Sequence, residues 1–318
     1  MSKRQHIIVW ADVEQGNLVR AAVRYADLHL AGIGSPSSSA SAQLSDALKA
    51  DRIEDLRQAI QTEDLDLLWL AAPHGVAVAE RRLIREMGLR AISTEPRPVD
   101  ISAAISDPSE ADTADFVPLM RRSAGYRAAS QVLEDFGPAQ CVNVFLRSGE
   151  GEGTLIARLF DAMDVIDALC GEPETLDAAL SSPLPGVPDS LAGLHGHLTV
   201  NLRFAGNRCA CVAVSDLAGR WFRGVTVLGE NGCLRINDAG FDWIARDGQI
   251  VETLHDKQPL SAGELVGEQI RRTLDSLDTT DPPPHNARLL ALCESARLSC
   301  RTGQGETPRK VMEMMSRT

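Results

Sequence analysis

The stretch that most restricts what this chain can fold into runs from Leu65 to Pro98, LDLLWLAAPHGVAVAERRLIREMGLRAISTEPRP. Its apolar run Leu67 to Ala72 is short enough for a strand buried on both faces, and Pro73 with Gly75 turns the chain out of it. Ala79, Leu83, Ile84 and Met87 then recur at helical spacing, Gly88 stands where a helix ends, and Leu89 to Ile92 returns as a strand. The pattern predicts a βαβ unit that runs into Thr94-Glu95-Pro96. Ligands of an open parallel sheet bind outside the carboxyl ends of its strands, so chemistry is expected at the loops Pro73 to Gly75 and Thr94 to Pro98.

The residues before this unit repeat its rhythm. His6 to Val9 reads as a strand, Leu18, Val19, Ala22, Val23 and Ala26 as the apolar face of a helix, and Leu28 to Ile33 as a second strand. The serine-rich segment Ser35 to Ser41 reads as loop, and Ile53, Leu56 and Ile60 mark a further helix. An α/β, doubly wound, Rossmann-like domain is therefore expected over residues 1–120, with the acidic, weakly patterned Ala104 to Asp115 as a surface connection near its end.

Beyond it the periodicity changes from helical to alternating. Leu198, Val200, Leu202 and Phe204 alternate with Thr199, Asn201 and Arg203, as in a half-exposed antiparallel strand. Cys209 to Val214, Gly224 to Leu228 and Cys233 to Asn237 read as further strands, separated by turns at Ala205-Gly206-Asn207 and Glu230-Asn231-Gly232. Helices are expected from Tyr126 to Asp135, Leu155 to Leu169 and Glu264 to Leu277, the last stopped by Pro282 to Pro284. A closing helix from Arg288 to Ser299, within about 286–300, would pack back on the first domain. Residues 121–318 thus form an α+β domain with a mostly antiparallel sheet.

At 318 residues and 44% hydrophobic composition the chain has material for two cores. A net charge of -12, with no more than two basic residues adjacent, excludes the basic face that nucleic acid requires. The opening MSKRQHIIVW lacks the apolar core and small-residue cleavage site of a leader, and no apolar run approaches the ~20 residues that span a bilayer. A soluble, cytoplasmic protein with no membrane partner is expected. The seven cysteines form no CxxC pair and read as reduced thiols, with no metal site.

Five segments in order resemble the glucose-fructose oxidoreductase, inositol dehydrogenase and rhizopine-catabolism (Gfo/Idh/MocA) family. They are the opening stretch, SAGYRAASQVLEDFGPAQCVNV, MDVIDALCGEPETLDA, GVTVLGENGCLRIN and ARLLALCESARLSCRTGQ. The resemblance covers nearly the whole chain. It implies a Rossmann domain that binds NAD or NADP, a second domain with a large open sheet that forms the substrate cleft and often a dimer interface, and hydride transfer on sugars or polyols.

Several positions depart from that family's pattern. Where it carries G-x-G-x-x-G after the first strand, so that backbone can approach a pyrophosphate, this chain has Trp10-Ala11-Asp12-Val13-Glu14-Gln15-Gly16. A carboxylate about 4 Å from a phosphate charge repels it by about 1 kcal/mol in bulk water and about 4 kcal/mol at an effective dielectric near 20. Asp12 also has the alternative of capping the helix that follows. Ser35 stands where an acid would meet the adenosine ribose, and Pro73, His74 and Pro96 occupy the remaining cofactor positions.

Aligned on Pro96, the family's catalytic lysine is Glu95; aligned on Asp167 and Gly171, its catalytic histidine is Asp164, with Phe160 or Asp161 at the preceding acid. A positioned acid or base contributes about 10² to 10⁴ in rate, so losing both removes most of the family's chemistry. Glu95 and Asp164, if they face each other, would form a different acid–base pair or a cation site. His195 and His197 read as surface positions of a sheet, and Glu150-Gly151-Glu152-Gly153 as a solvated loop. Two functions remain: a divergent NAD(P)-dependent oxidoreductase acting on a sugar, polyol or related small molecule, or a catalytically inactive descendant that binds a ligand or regulates a partner. In either case the half-apolar strands of the second domain call for a homo-oligomer.

Overall fold

A computed structural model describes residues 5–62, 65–106, 113–256, 258–275 and 284–316. Six parallel strands form the first sheet: β1 His6–Trp10, β2 His29–Gly34, β3 Asp51–Ile53, β4 Leu67–Leu70, β5 Ala91–Ser93 and β6 Asp115–Phe116, in the order β3-β2-β1-β4-β5-β6. The order reverses at β1 and β4, the usual ligand crevice of such a sheet. Every residue of β4 is buried, which is why its sequence is apolar without alternation. Ile7, Val9, Leu67 and Trp69 face one layer of helices; Ile8, Trp10, Leu68 and Leu70 face the other.

Two sequence expectations change here. Ser35 to Ser41 is only partly loop, because helix Ser38–Leu48 begins inside it, and its few apolar residues bury little more than Leu44. Ile53 belongs to β3, and its helix starts at Leu56.

The second sheet has eight strands: β7 Ala139–Arg147, β8 Thr175–Ser181, β9 His197–Phe204, β10 Arg208–Ser215, β11 Phe222–Gly229, β12 Gly232–Asn237, β13 Gly240–Ile244 and β14 Ile250–His255. They lie in the order β14-β13-β12-β11-β7-β10-β9-β8, antiparallel except for the β7–β10 pair. The expected alternation holds along β9, where Leu198, Val200, Leu202 and Phe204 are buried and the residues between them exposed.

Helix Leu155–Cys170 packs its apolar residues on the inner face of this sheet. Helix Asn286–Thr302 lies on it and on β8, and also meets helix Ile101–Ser106. The element of the second half that lies most extensively on the parallel-sheet layer is helix Ala262–Leu274, whose Val266 and Ile270 share a core with Leu18, Val19 and Ala22 of helix Gly16–Ala26. The expected helix Tyr126 to Asp135 is two short pieces, Ala124–Ser130 and Leu133–Phe136. Pro282, Pro283, Leu277 and much of the acidic connection from Ala104 to Asp115 lie outside the described residues. No described helix is long and apolar enough to cross a membrane.

Candidate functional site

The carboxyl ends of β4 and β5 meet the amino end of helix Leu155–Cys170. Glu95 follows β5 directly and is almost wholly buried, 3% exposed. Its backbone N–H donates to Ser93 Oγ at 3.1 Å, which sets the turn. Its side chain reaches across to Thr154, whose N–H donates to Oε1 at 3.2 Å and whose hydroxyl donates to Oε2. The same hydroxyl caps the helix by accepting from Ala157 N–H at 3.3 Å. Burial pushes the Glu95 carboxyl above its ordinary value, partly opposed by the two Thr154 hydrogen bonds and by the Arg97 and Arg158 charges. Arg97 ties the β5 loop to the end of β4 through Ser93 Oγ and the Ala72 carbonyl, and burial lowers its pKa to about 10.

A second carboxylate shares this helix end. Asp216, just past β10, accepts from Leu155 N–H at 3.2 Å through Oδ2 and from Gly196 N–H at 2.8 Å through Oδ1. Its Oδ2 also lies 2.9 Å from Nδ1 of His195, which belongs to the loop ahead of β9 and not to a sheet surface. His197 is the one on the sheet, exposed on β9 and bonded to Ser215 Oγ at 2.8 Å. Glu95 and Asp216 are therefore held by consecutive backbone N–H groups, Thr154 and Leu155, at the positive end of one 16-residue helix.

These side chains line one cleft of about 630 Å³, with Asp12, Glu14, Pro73 and the loop Gly149–Gly153 forming other walls. Among the described residues five carboxylates line it, from Asp12, Glu14, Glu95, Glu150 and Asp216, and no lysine or arginine. The run Glu150 to Gly153 is thus a wall of the cleft, where sequence reasoning took it for a solvated loop. A larger groove of about 1030 Å³ lies alongside, past Gly219 and Trp221. Among the described residues no group of three or more His, Cys, Asp and Glu side chains is arranged to hold a metal ion.

Asp164 does not join the cleft. It accepts two hydrogen bonds from Arg121, at 2.6 and 2.7 Å, and is 3% exposed. Ten residues of helix separate it from Thr154, about 15 Å at 1.5 Å per residue, so Glu95 and Asp164 do not face each other. Asp161 is equally committed, accepting from Met120 N–H at 2.7 Å and from Arg223 at 2.9 Å. Arg158, one turn beyond Thr154, is fully buried, its guanidinium 4.4 Å from the Trp221 ring centre. Among the described residues its three nitrogens have no hydrogen-bond partner, and burial lowers its pKa to about 10 while the Asp161 and Glu95 charges sustain the cation.

Close contacts narrow the dinucleotide crevice at three points. Trp10 ends β1 and is 6% exposed; its indole lies so close over Gly34 that a Cβ there would meet it at 2.3 Å. Ser35, the ribose candidate, donates to Asp12 Oδ1 at 3.1 Å. Asp12 in turn donates its N–H to the Gln15 side chain at 2.7 Å, closing the turn on itself. Across the crevice the loop after β4 touches the loop after β2, since a Cβ on Gly75 would lie 2.3 Å from Pro36. A Cβ on Gly151 would lie 2.0 Å from the Glu14 carbonyl, so the second domain's backbone presses on the turn where a pyrophosphate would sit. His74 is exposed, Pro96 is buried, and neither lines the cleft. These residues do not fit a dinucleotide in the usual mode.

Sequence reasoning found Glu95, because the strand-end rule points to it. It missed Thr154, Asp216 and the orientation of His195. A threonine ahead of an apolar helix and an aspartate just past an alternating strand are weak signals, and only the turn between β9 and β10 brings His195 and Asp216 together.

The fold is that of the Gfo/Idh/MocA-type dehydrogenases, a parallel Rossmann-like sheet joined to a large, mostly antiparallel one. Among solved structures, levoglucosan dehydrogenase in complex with NADH and levoglucosan matches with a TM-score of 0.74 at 13% identity, over 96% of this chain and 99% of that one. An oxidoreductase from Agrobacterium radiobacter, in complex with NAD+, L-tartaric acid and magnesium, matches at 0.69 and 16%, over 97% and 99%. UDP-N-acetylglucosamine 3-dehydrogenase from Acidithiobacillus ferrooxidans matches at 0.66 and 14%, over 94% and 98%. No protein-family model and no curated protein matches the sequence.

Proposed function

We propose that this protein keeps the dehydrogenase architecture as a small-molecule binding scaffold and does not carry out hydride transfer with NAD or NADP. The observation that carries this reading is the seating of Gly151 against Glu14, which brings the chain's own backbone onto the turn after β1. The carboxylate lining supports a neutral polyhydroxyl or a cationic ligand over a phosphorylated one, because carboxylates accept hydroxyl and ammonium hydrogen bonds and repel anions. We assign ligand contact to Glu95 and His195, with Asp216 holding His195 and with Pro73 and Asp12 in the walls, and read Trp10, Ser35, His74, Pro96 and Asp164 as structural or peripheral. We place the division between the domains near residue 120, between the last strand of the first sheet and the first strand of the second.

The competing reading, a divergent oxidoreductase with Glu95 at the lysine position, is favoured by NADH and NAD+ in the solved structures named above. Titration of the full chain with both cofactors separates the two readings, with no binding expected. Steady reduction of NAD or NADP over a sugar and polyol panel, abolished by Glu95→Ala, would overturn our reading. The proposal includes a second copy of the chain over the open face of the large sheet, where Phe145, Phe222 and Leu228 are exposed.

A further inference from the structure

The cleft contains more than a binding site requires. From the convergence of three side chains at the amino end of helix Leu155–Cys170, we infer that the protein is an acid–base catalyst of proton transfer next to a carbonyl, with His195 as base, Asp216 as its positioning residue and Glu95 as the opposing acid. The inference rests on the ligand-binding reading above and adds a reaction to it.

Three observations support the assignment. Asp216 Oδ2 lies 2.9 Å from His195 Nδ1, an arrangement that holds the proton on Nδ1 and leaves Nε2 as the basic atom. Asp216 is itself fixed by the Leu155 and Gly196 N–H groups, so the imidazole is oriented by rigid backbone. His195 has a side chain 38% exposed, on the wall of the same cleft as Glu95, and no hydrogen bond engages its Nε2 among the described residues. Glu95 lines that cleft and is 3% exposed, and burial keeps its proton on to a higher pH than an exposed glutamate holds one.

The step needs no oxidant or reductant. Nε2 of His195 takes the proton from the carbon beside the carbonyl, and the C–H electron pair becomes the second bond of a C=C. The carbonyl π pair moves onto oxygen, which takes the Glu95 proton, giving a neutral enediol. Return of the His195 proton to the neighbouring carbon, with that carbon's hydroxyl proton going to Glu95, moves the carbonyl by one position; return to the first carbon restores the substrate. The substrate class is an α-hydroxy aldehyde or ketone without phosphate, because among the described residues no lysine or arginine lines the cleft to hold one.

The test uses the full chain with L-sorbose in deuterated buffer, read by proton NMR. Deuterium is expected to replace hydrogen at the carbons beside the carbonyl, and His195→Gln should slow the exchange by about 10² to 10⁴. Asp216→Asn should slow it as well while L-sorbose stays bound by saturation transfer, which loss of the fold would not allow. Saturation transfer in the same sample reports binding. L-sorbose that binds without exchange overturns the acid–base inference and leaves the binding reading intact. Absence of binding overturns both, and exchange unchanged in His195→Gln rejects the assignment of the base.

Discussion

Glu95 is held between opposing influences. Burial disfavours its charge, whereas Thr154, Arg97 and Arg158 favour it, and burial dominates. With the folded-state pKa above the ordinary 4.5, the folded protein binds this proton more tightly than the unfolded chain does. The stability so gained is complete below 4.5 and is lost as pH rises through the folded value. Glu95→Gln removes the titration and keeps a side-chain oxygen for Thr154. Relative to the unaltered protein its melting temperature should therefore rise between pH 4.5 and 8; a difference that is constant or falls over that range would refute burial as the dominant cause. Arg158 is the complementary case, a buried cation with an aromatic face and nearby carboxylates in place of hydrogen bonds.

Among the elements, the loop Gly149–Gly153 decides what the crevice can accept. Gly151 has φ +74 and no room for a Cβ against Glu14, so it is required both by its conformation and by the close approach. Gly151→Val should cost about 1–3 kcal/mol in urea unfolding, through left-handed strain and the displaced Glu14 turn. A cost under about 0.5 kcal/mol would mean that this contact does not hold the crevice shut. The elements that could be read from the sequence are those with one strong period: β4 is apolar throughout and β9 alternates without a break. Helix Ser38–Leu48 and β14 could not be read that way. The first buries only Ser41 and Leu44, and the second is exposed along its whole length, so neither carries a burial pattern. At the site, Glu95 follows from strand order alone. Asp216 and His195 are 21 residues apart and meet only because β9 and β10 pair in register, with His197 opposite Ser215.

At the scale of the molecule, the large sheet has helices on one face and an open face on the other. Phe145 is 37% exposed and its cross-strand neighbours are Gly224 and Ala213, which leave it uncovered; Phe222 and Leu228 extend the patch. Edge strand β14 adds exposed Ile250, Val251 and Leu254. Such a surface calls for a partner, and self-association is the simplest one. Sedimentation should give a multiple of 34.3 kDa that falls toward the monomer on Phe145→Asp. A monomer for the unaltered chain would remove the second copy from the proposal.

The central claim concerns the whole molecule too: an architecture shared with dehydrogenases has closed its own cofactor crevice and kept an acidic cleft for another use. Calorimetric titration of the full chain with NADH and with NADPH, to millimolar cofactor, tests this most directly. No binding heat is expected, because Trp10, the Pro36–Gly75 contact and the Gly151–Glu14 contact occupy the crevice. Saturable, one-to-one binding of either cofactor would contradict it.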